Sequence, residues 1–362
     1  CGGRMVGYLV LENGLVFSGK RIGYKRDAIF EVVFNTGMSG YMETITDPSY
    51  VGQGVVFTYP LIGNYGVMRE DTESKKIWIE GIIVHELANY SSNFRKESNL
   101  NDFLIEHKIP GIEGINTRAL TRILRDNGVM RGKITSKIDN VKTVIKQIKK
   151  YQAPDPVSLV TSKKTTITGN GKYNIALYDF GVKGNIIKSL LMRDTTITLF
   201  PATATSKDIL KRKPDGILLS NGPGDPKDNK IAIKTIRELY QTNIPILGIC
   251  LGHQLLALAT GMNTKKLKYG HRGPNHPVKN NETNRIYITS QNHGYYIDEN
   301  TIDSKIATIT YRNVNDKTIE GLKYKNKKIV TVQFHPEACA GPQDTTYLFD
   351  DFIKAIGESK NA

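Results

Sequence analysis

The chain has 362 residues, 39% of them hydrophobic and 23% charged, and its 50 lysines and arginines against 35 aspartates and glutamates give a formal net charge of +15. This composition is typical of a globular protein of two or three domains and excludes the collagen-like, disordered and disulfide-stapled classes. The basic residues are scattered in ones and twos, so the charge favours a lysine-rich solvated surface over a nucleic-acid footprint.

The cysteines are Cys1, Cys250 and Cys339, with no CxxC pair and no Cys/His spacing of a metal site. An odd, widely spaced set argues against a disulfide framework and for a reducing compartment, so we expect a cytoplasmic protein. The opening residues lack the apolar stretch of a signal peptide, and Met5 is a candidate natural start.

One uncharged run, residues 244–262, approaches the length of a membrane span. It contains Pro245, Gly248, Gly252, His253 and Gln254, which a buried strand turning sharply into a helix explains better. We therefore expect no membrane partner.

The first 150 residues predict a β-rich unit followed by helices. Apolar runs that end at turn residues predict strands at 8–11, 30–34 and 55–59. Apolar residues at helical spacing predict helices at 101–107, 117–126 and 141–151. We assign a domain to residues 5–152 and a linker to 153–172, where prolines and a polar, glycine-containing tract interrupt the pattern.

From residue 173 strands and helices alternate, which indicates βαβ crossovers and a parallel sheet. Predicted strands lie at 174–180, 196–200, 216–220 and 244–249, and predicted helices at 185–192, 231–240 and 254–260. Short strands are predicted at 285–289, 306–311, 318–323 and 329–334. His271, His276 and His293 are expected in loops rich in glycine or proline. The second domain, 173–360, is thus expected to be α/β, with a mixed, largely parallel sheet flanked by helices, after a β-rich α+β N-terminal domain.

The strongest chemical signal is Gly248-Ile-Cys-Leu-Gly252, which follows an apolar strand and precedes a helix-like run. Its glycines permit a tight strand-to-helix turn that lifts the Cys250 thiol above the sheet at a helix N-terminus. The positive end of the helix stabilises a thiolate there, and the Leu251 amide is a natural oxyanion donor. The alternative is a small cysteine packed in a strand.

A cysteine nucleophile needs a base, and the base needs an orienting group. His335 ends a predicted strand and begins His335-Pro336-Glu337. Pro336 biases its neighbour to extended backbone, where positions i and i+2 face the same way, so Glu337 can reach the imidazole. A structural histidine at a strand end is the alternative. His253, on the predicted helix, is expected to point elsewhere.

The loop at 220–226 follows the carboxyl end of a predicted strand, where ligands bind in parallel sheets. Gly222 and Gly224 could offer amides to a substrate carbonyl or carboxylate, although an ordinary turn would look the same. The sequence has no P-loop, no GxGxxG after a strand and no HExxH, so it shows no sign of binding ATP, a dinucleotide or a catalytic metal by itself.

Gly248-Ile-Cys-Leu-Gly-His-Gln254, with the distant His335-Pro-Glu337, resembles the class I, triad-type glutamine amidotransferases. Four further segments resemble the N-terminal domain of the carbamoyl phosphate synthetase small subunit: 34–41, 46–50, 58–64 and 117–122. Residues 291–295 and 341–344 resemble the second half of that subunit. The resemblance covers essentially the whole chain after residue 5.

The resemblance implies a glutaminase in which Cys250 attacks the glutamine amide carbon and forms a γ-glutamyl thioester. His335, oriented by Glu337, would be the general base and then protonate ammonia, with the amides of Leu251 and Gly222 as the oxyanion hole. The glutamine contacts it implies are Ser49, Gly222, Gly224, Leu251, Gln254, Asn292, Gly294 and Tyr295. Ser49 has no other sequence signal.

The resemblance also implies a partner, the large synthetase subunit, which would use the ammonia to make carbamoyl phosphate for arginine and pyrimidine synthesis. ATP, bicarbonate and metal ions are expected on that subunit, and no cofactor on this chain. The N-terminal domain is expected beside the active site, as a docking surface. The chain departs from the family pattern at Gly37, Asn116 and Cys339.

Two other interpretations remain open from the sequence. A free-standing γ-glutamyl hydrolase or another class I glutaminase predicts a chain that begins near residue 173. A non-catalytic nucleic-acid-binding protein predicts clustered basic residues and stacking aromatics, and gives no reason for the Cys/His/Glu set.

Overall fold

The structure is a computed structural model that describes residues 5–360, so Cys1 and the question of residues 1–4 lie outside the described residues. The chain divides into two compact units with the boundary between Pro154 and Asp155. Most of the predicted linker belongs to the second unit. Residues 156–160 form a helix, and 166–168 pair with a strand of the second sheet.

The first unit is a closed β-barrel with flanking helices. Its strands are β1 (Val6–Leu11), β2 (Val16–Gly23), β3 (Ala28–Asn35), β4 (Gln53–Phe57), β5 (Leu61–Ile62), β6 (Gly81–Ile83), β7 (Glu86–Leu87), β8 (Pro110–Glu113) and β9 (Met130–Thr135). Its helices are α1 (Tyr41–Thr46), α2 (Leu100–Glu106), α3 (Thr117–Asn127) and α4 (Val141–Lys150). The barrel order is β1-β2-β8-β6-β4-β3-β9, with β5 and β7 paired separately.

Phe30 fills the interior of this barrel and is fully buried. A Cβ on Gly54 would lie 2.1 Å from its ring, and one on Gly81 would lie 2.6 Å from it. The glycines of two neighbouring strands therefore make room for one aromatic ring. The β-rich α+β class predicted for the N-terminal half is confirmed.

The second unit is an α/β domain. Its helices are α5 (Pro156–Val160), α6 (Gly184–Leu191), α7 (Ser206–Leu210), α8 (Lys230–Tyr240), α9 (Leu251–Ala259) and α10 (Tyr347–Lys360). Its strands are β10 (Thr166–Thr168), β11 (Tyr173–Asp179), β12 (Thr195–Pro201), β13 (Gly216–Leu219), β14 (Ile246–Ile249), β15 (Thr264–Asn280), β16 (Ile286–Ile297), β17 (Ala307–Asn313), β18 (Ile319–Tyr324) and β19 (Ile329–Val332).

Across residues 5–360 this unit has one mixed sheet in the order β10-β12-β11-β13-β14-β19-β18-β17-β15-β16. The strands from β12 to β19 in that order are parallel, and the outer strands are antiparallel. Apolar residues of α6 and α10 pack on one face, and those of α7, α8 and α9 on the other. The carboxyl ends of β11, β13, β14 and β19 therefore meet at one edge, which is where parallel sheets bind ligands.

The long hairpin of β15 and β16 was not predicted, although the predicted strand at 285–289 coincides with the start of β16. His271 and His276 lie on β15 and His293 lies on β16, so the expectation that they occupy loops is wrong. The polar, glycine- and proline-containing sequence of β15 hides its strand character. Pairing with β16 overrides these local preferences, and register shifts between Lys266 and His271 and between Gly273 and His276 accommodate the irregular residues.

None of the helices formed by residues 5–360 combines the length and apolarity needed to cross a bilayer. The uncharged run 244–262 forms β14, the turn after it and α9.

Candidate active site

Cys250 stands alone between β14 and α9, with φ 53° and ψ −102°, a conformation that non-glycine residues rarely adopt. Its amide donates to Val332 O at 2.8 Å, which holds the strained turn against β19. A Cβ on Gly252 would lie 2.3 Å from Leu219 O, so α9 can approach β13 this closely only with glycine there. The turn therefore has the form of the predicted nucleophile elbow.

The thiol is 2% exposed. Its Sγ donates to Asn292 O at 3.7 Å and accepts from Gln333 Nε2 at 3.6 Å. Leu251 is the first residue of α9, where backbone N–H groups have no partner within the helix. The sulfur therefore exchanges hydrogen bonds with a carbonyl of β16 and with a side-chain amide just after β19, and Cys250 directly precedes α9.

His335 and Glu337 form the second part of the site. His335 Nδ1 lies 2.6 Å from Glu337 Oε1, and both side chains are buried. The His335 amide donates to Ser290 O at 2.9 Å, which ties this segment to β16. Because Nδ1 faces the carboxylate, Nε2 is the ring nitrogen left for the thiol proton.

Lys183, in the turn between β11 and α6, adds a buried cation to this pair. Its Nζ donates to Glu337 Oε1 at 3.0 Å and to Cys339 O at 3.0 Å. The Glu337 carboxylate is thus held between an ammonium and an imidazole.

The charges of this group shift its pKa values. Burial alone lowers the pKa of His335, but the Glu337 charge and hydrogen bonds to Cys250 and Glu337 outweigh burial, and the pKa is raised. Burial alone raises the pKa of Glu337, but the Lys183 and His335 charges outweigh it, and the pKa is lowered. The carboxylate is ionised, and the imidazole readily takes up a proton.

Two of the other predicted contacts of the second unit are glycines of the loop after β13. Gly222 follows β13, and a Cβ there would lie 2.3 Å from Phe180 O and 2.8 Å from Leu251 Cδ2. Gly224, in the same loop, has φ +89°, a conformation that favours glycine. The loop therefore packs against the elbow.

Residues 292, 294 and 295 all lie on β16. Gln254 Nε2 donates to Tyr295 O at 2.8 Å and to Gln333 Oε1 at 2.9 Å.

The remaining predicted contact, Ser49, lies in the first unit. It is buried in the short 3-10 turn Pro48–Tyr50, and its backbone N–H donates to Asp47 Oδ1 at 2.8 Å.

Sequence reasoning missed Lys183 and Gln333. Lys183 lies shortly after the carboxyl end of a parallel strand, the position that had drawn attention to Gly222. Gln333 lies two residues before His335, near the end of the predicted strand 329–334, where alternation predicts that the two side chains face the same way. Both signals were available in the sequence. Many residues follow a parallel strand or lie two residues before a histidine, however, so neither signal singles out a functional residue.

Three other buried histidines of the second unit are His253, His271 and His293. His253 Nδ1 lies 2.7 Å from Thr331 Oγ1, and burial lowers its pKa to about 3, so it stays neutral. His271, His293 and Glu320 have donor atoms within 4.8 Å of one another and could in principle hold a metal ion. However, His271 Nε2 lies 2.7 Å from Asp316 Oδ2, and the two His293 ring nitrogens lie 2.7 Å from Tyr295 O and 3.0 Å from Gln291 Oε1, so these contacts compete with a metal ion.

Comparison with known proteins finds a family model for each unit. The family model for "Glutamine amidotransferase class-I" matches residues 176–355, and the model for "Carbamoyl-phosphate synthase small chain, CPSase domain" matches residues 9–134. The carbamoyl phosphate synthase small chain of Clostridium perfringens is 51% identical over 347 residues, which are 96% of this chain and 98% of that one. The chain belongs to the carbamoyl phosphate synthase small-chain family.

Other members of the family are nearly as similar. The Bacillus cereus small chain is 48% identical over 97% of this chain and 96% of that one. The Staphylococcus haemolyticus small chain is 45% identical over 98% and 96%. Among solved structures, a glutamine amidotransferase from Thermotoga maritima has a TM-score of 0.39 and 18% identity, covering 52% of this chain and 86% of that one.

The predictions of family and fold class are confirmed. This small chain carries a class I glutamine amidotransferase domain and is a glutamine-hydrolysing component of a carbamoyl phosphate synthase. Of its departures from the family pattern, Asn116 accepts a hydrogen bond from Ala119 N at 2.9 Å and so caps α3.

Proposed function

We propose that this small chain hydrolyses L-glutamine to glutamate and ammonia through a thioester on Cys250. The observation that carries the proposal is the meeting of three side chains from two strand ends. Cys250 lies on the elbow after β14, and His335 and Glu337 lie just after β19, with Glu337 2.6 Å from the imidazole. This is the nucleophile, base and orienting group that acyl transfer needs.

In the first half-reaction His335 Nε2 takes the thiol proton, and Sγ attacks the side-chain amide carbon of glutamine. The amides of Leu251 and Gly222 stabilise the oxyanion of the tetrahedral intermediate. The intermediate collapses with cleavage of the C–N bond, and His335 gives its proton to the departing ammonia. The ionised Glu337 stabilises the imidazolium throughout, which the raised pKa of His335 supports.

In the second half-reaction His335 takes a proton from water, which attacks the thioester carbonyl. The C–S bond breaks, glutamate leaves, and Sγ recovers its proton. We assign glutamine binding to Ser49, Gly222, Gly224, Leu251, Gln254, Asn292, Gly294 and Tyr295. The two hydrogens of Gln254 Nε2 are used by Tyr295 O and Gln333, so its amide oxygen is the end that can accept from a ligand.

We further propose that ammonia passes to the large subunit of the synthase, which would bind ATP, bicarbonate and metal ions and make carbamoyl phosphate. The names of the relatives support this, because a small chain implies a larger one. A cytoplasmic location is consistent with the free thiols of Cys250 and Cys339.

The test is glutamate release from L-glutamine by the purified chain, with and without a cognate large subunit, and with Cys250→Ala as control. Release that requires Cys250 and rises with the large subunit supports both proposals. Release that requires Cys250 but ignores the large subunit favours a free-standing hydrolase. No release by folded wild-type protein in either condition rejects the catalytic proposal.

A further inference from the structure

We propose that Gln333 is a further catalytic residue, whose side-chain amide donates a hydrogen bond to Cys250 Sγ and stabilises the thiolate that forms when the thiol proton leaves. The inference deepens the proposed function and rests on it. Gln333 Nε2 lies 3.6 Å from Sγ, within the range of a hydrogen bond to sulfur, and the side chain is fully buried.

The direction of this hydrogen bond follows from its neighbours. Tyr295 O is a backbone carbonyl and can only accept, so the Gln254 atom 2.8 Å from it must be the nitrogen. That nitrogen also lies 2.9 Å from the Gln333 amide, and the atom facing it must be the Gln333 oxygen. The Gln333 NH2 group is therefore left on the side of Sγ.

The backbone fixes the position of the donor. The backbone N–H of Gln333 donates to Glu320 O at 2.9 Å, which continues the β18–β19 pairing past Val332. Two residues on, His335 is tied to Ser290 in the same way. Both side chains reach Cys250 from this one anchored stretch of backbone, which therefore delivers both the donor and the base.

The groups around Sγ respond differently to ionisation. The neutral thiol donates to Asn292 O at 3.7 Å, and this contact is lost when the proton leaves, because a carbonyl cannot donate. The contact with Gln333 becomes stronger, because a hydrogen bond to an anion is worth roughly twice one between neutral groups. Gln333 therefore favours the attacking form of the nucleophile, whereas the Asn292 carbonyl favours the resting thiol.

The test compares wild type with Gln333→Met, which keeps the length of the side chain but removes the donor, and with Gln333→Glu, which places an acceptor against the sulfur. The rate of Cys250 alkylation by iodoacetamide is measured against pH by peptide mass spectrometry, which separates Cys250 from the other thiols. We expect alkylation at neutral pH to fall about 10- to 100-fold in Gln333→Met, and further in Gln333→Glu. The pH at half-maximal rate should rise in both.

Gln241→Met, at an exposed glutamine after α8, is the matched control and should alkylate as wild type does. Thermal unfolding checks that each variant is folded, and if Gln333→Met is not, Gln333→Glu decides the question. A folded Gln333 variant with the wild-type rate and pH profile overturns the inference, even if its kcat is low, because Gln333 would then only support Gln254. Absent glutamate release by wild type would instead reject the proposed function, which alkylation does not measure.

Discussion

At the residue scale, the charge on Glu337 controls the pKa of His335, the proposed general base. The carboxylate lies between Lys183 and His335, and its charge is a main reason that the pKa of His335 is raised. Glu337→Gln keeps the shape but removes the charge, so the imidazolium loses its counter-ion and the pKa of His335 falls. We expect kcat for glutamine hydrolysis to fall at least about 100-fold.

The pH dependence of kcat, measured for Glu337→Gln and for the exposed control Glu358→Gln, checks this prediction. Glu358→Gln should match wild type at every pH. A Glu337→Gln enzyme within threefold of wild type across the pH range would contradict the role given to the carboxylate.

A second pair, His271 and Asp316, makes stability depend on pH. Burial alone lowers the pKa of His271, but hydrogen bonds and the charges of Asp316 and Glu320 raise it to about 9, while the same pairing lowers the pKa of Asp316 despite its partial burial. The His271 contribution is present below its ordinary pKa and is lost as pH rises through about 9. The Asp316 contribution is present above its ordinary pKa and is lost in acid.

The pair should therefore contribute most near pH 6. Because the Asp316 side chain is 41% exposed, we expect Asp316→Asn to lower the free energy of unfolding by only about 1 kcal/mol at pH 6, with little difference above pH 10. Urea unfolding at both pH values measures this. Asp139→Asn, at an exposed pair with Lys137, is the control and should change neither value. An equal loss at both pH values would show that the ion pair is not the cause.

At the scale of elements, the elbow depends on how closely α9 approaches β13. Gly252→Ala places a Cβ 2.3 Å from Leu219 O, a backbone atom, so α9 must shift and carry Leu251 and Cys250 with it. We expect a loss of stability of about 2–4 kcal/mol and of most glutaminase activity. Unfolding and glutamate release are measured together.

Gly357→Ala, inside α10, is the matched substitution away from the site. Its Cβ meets only the Tyr173 hydroxyl at 3.3 Å, and alanine favours a helix, so activity should be unchanged. If Gly252→Ala behaved in the same way, the tight packing assigned to the elbow would be wrong.

The start of α3 gives a milder prediction. Asn116 caps this helix, so Asn116→Ala should lower the free energy of unfolding by about 1 kcal/mol, whereas Asn116→Asp should keep the cap. Chemical unfolding of the two variants tests this, and equal losses would show that the side-chain oxygen does not matter.

The elements also differ in how well the sequence predicts them. The strand, elbow and helix around Cys250 were predicted because an apolar run, two glycines and a second apolar run are local signals. The hairpin of β15 and β16 was not, because its residues are mostly polar and only their pairing makes them strands. It carries Asn292, Gly294 and Tyr295, so its contribution to the site could be assigned only by resemblance.

At the scale of the molecule, each unit has its own hydrophobic core. Two buried apolar clusters consist of residues of the second unit, and three others consist of residues of the first. We therefore expect residues 155–360 alone to fold and to unfold in one cooperative transition. Far-ultraviolet circular dichroism during heating measures this. A broad, non-cooperative transition would show that the second unit needs the first.

The sequence by itself determined the class of both units and predicted the candidate nucleophile and its base, because periodicity, glycine spacing and the His-Pro-Glu run are local patterns with few structural solutions. Only the tertiary structure placed Lys183 against Glu337 and Gln333 against Cys250. Their partners lie 154 and 83 residues away in sequence, and no local preference encodes a contact made by strands that meet only when the sheet forms.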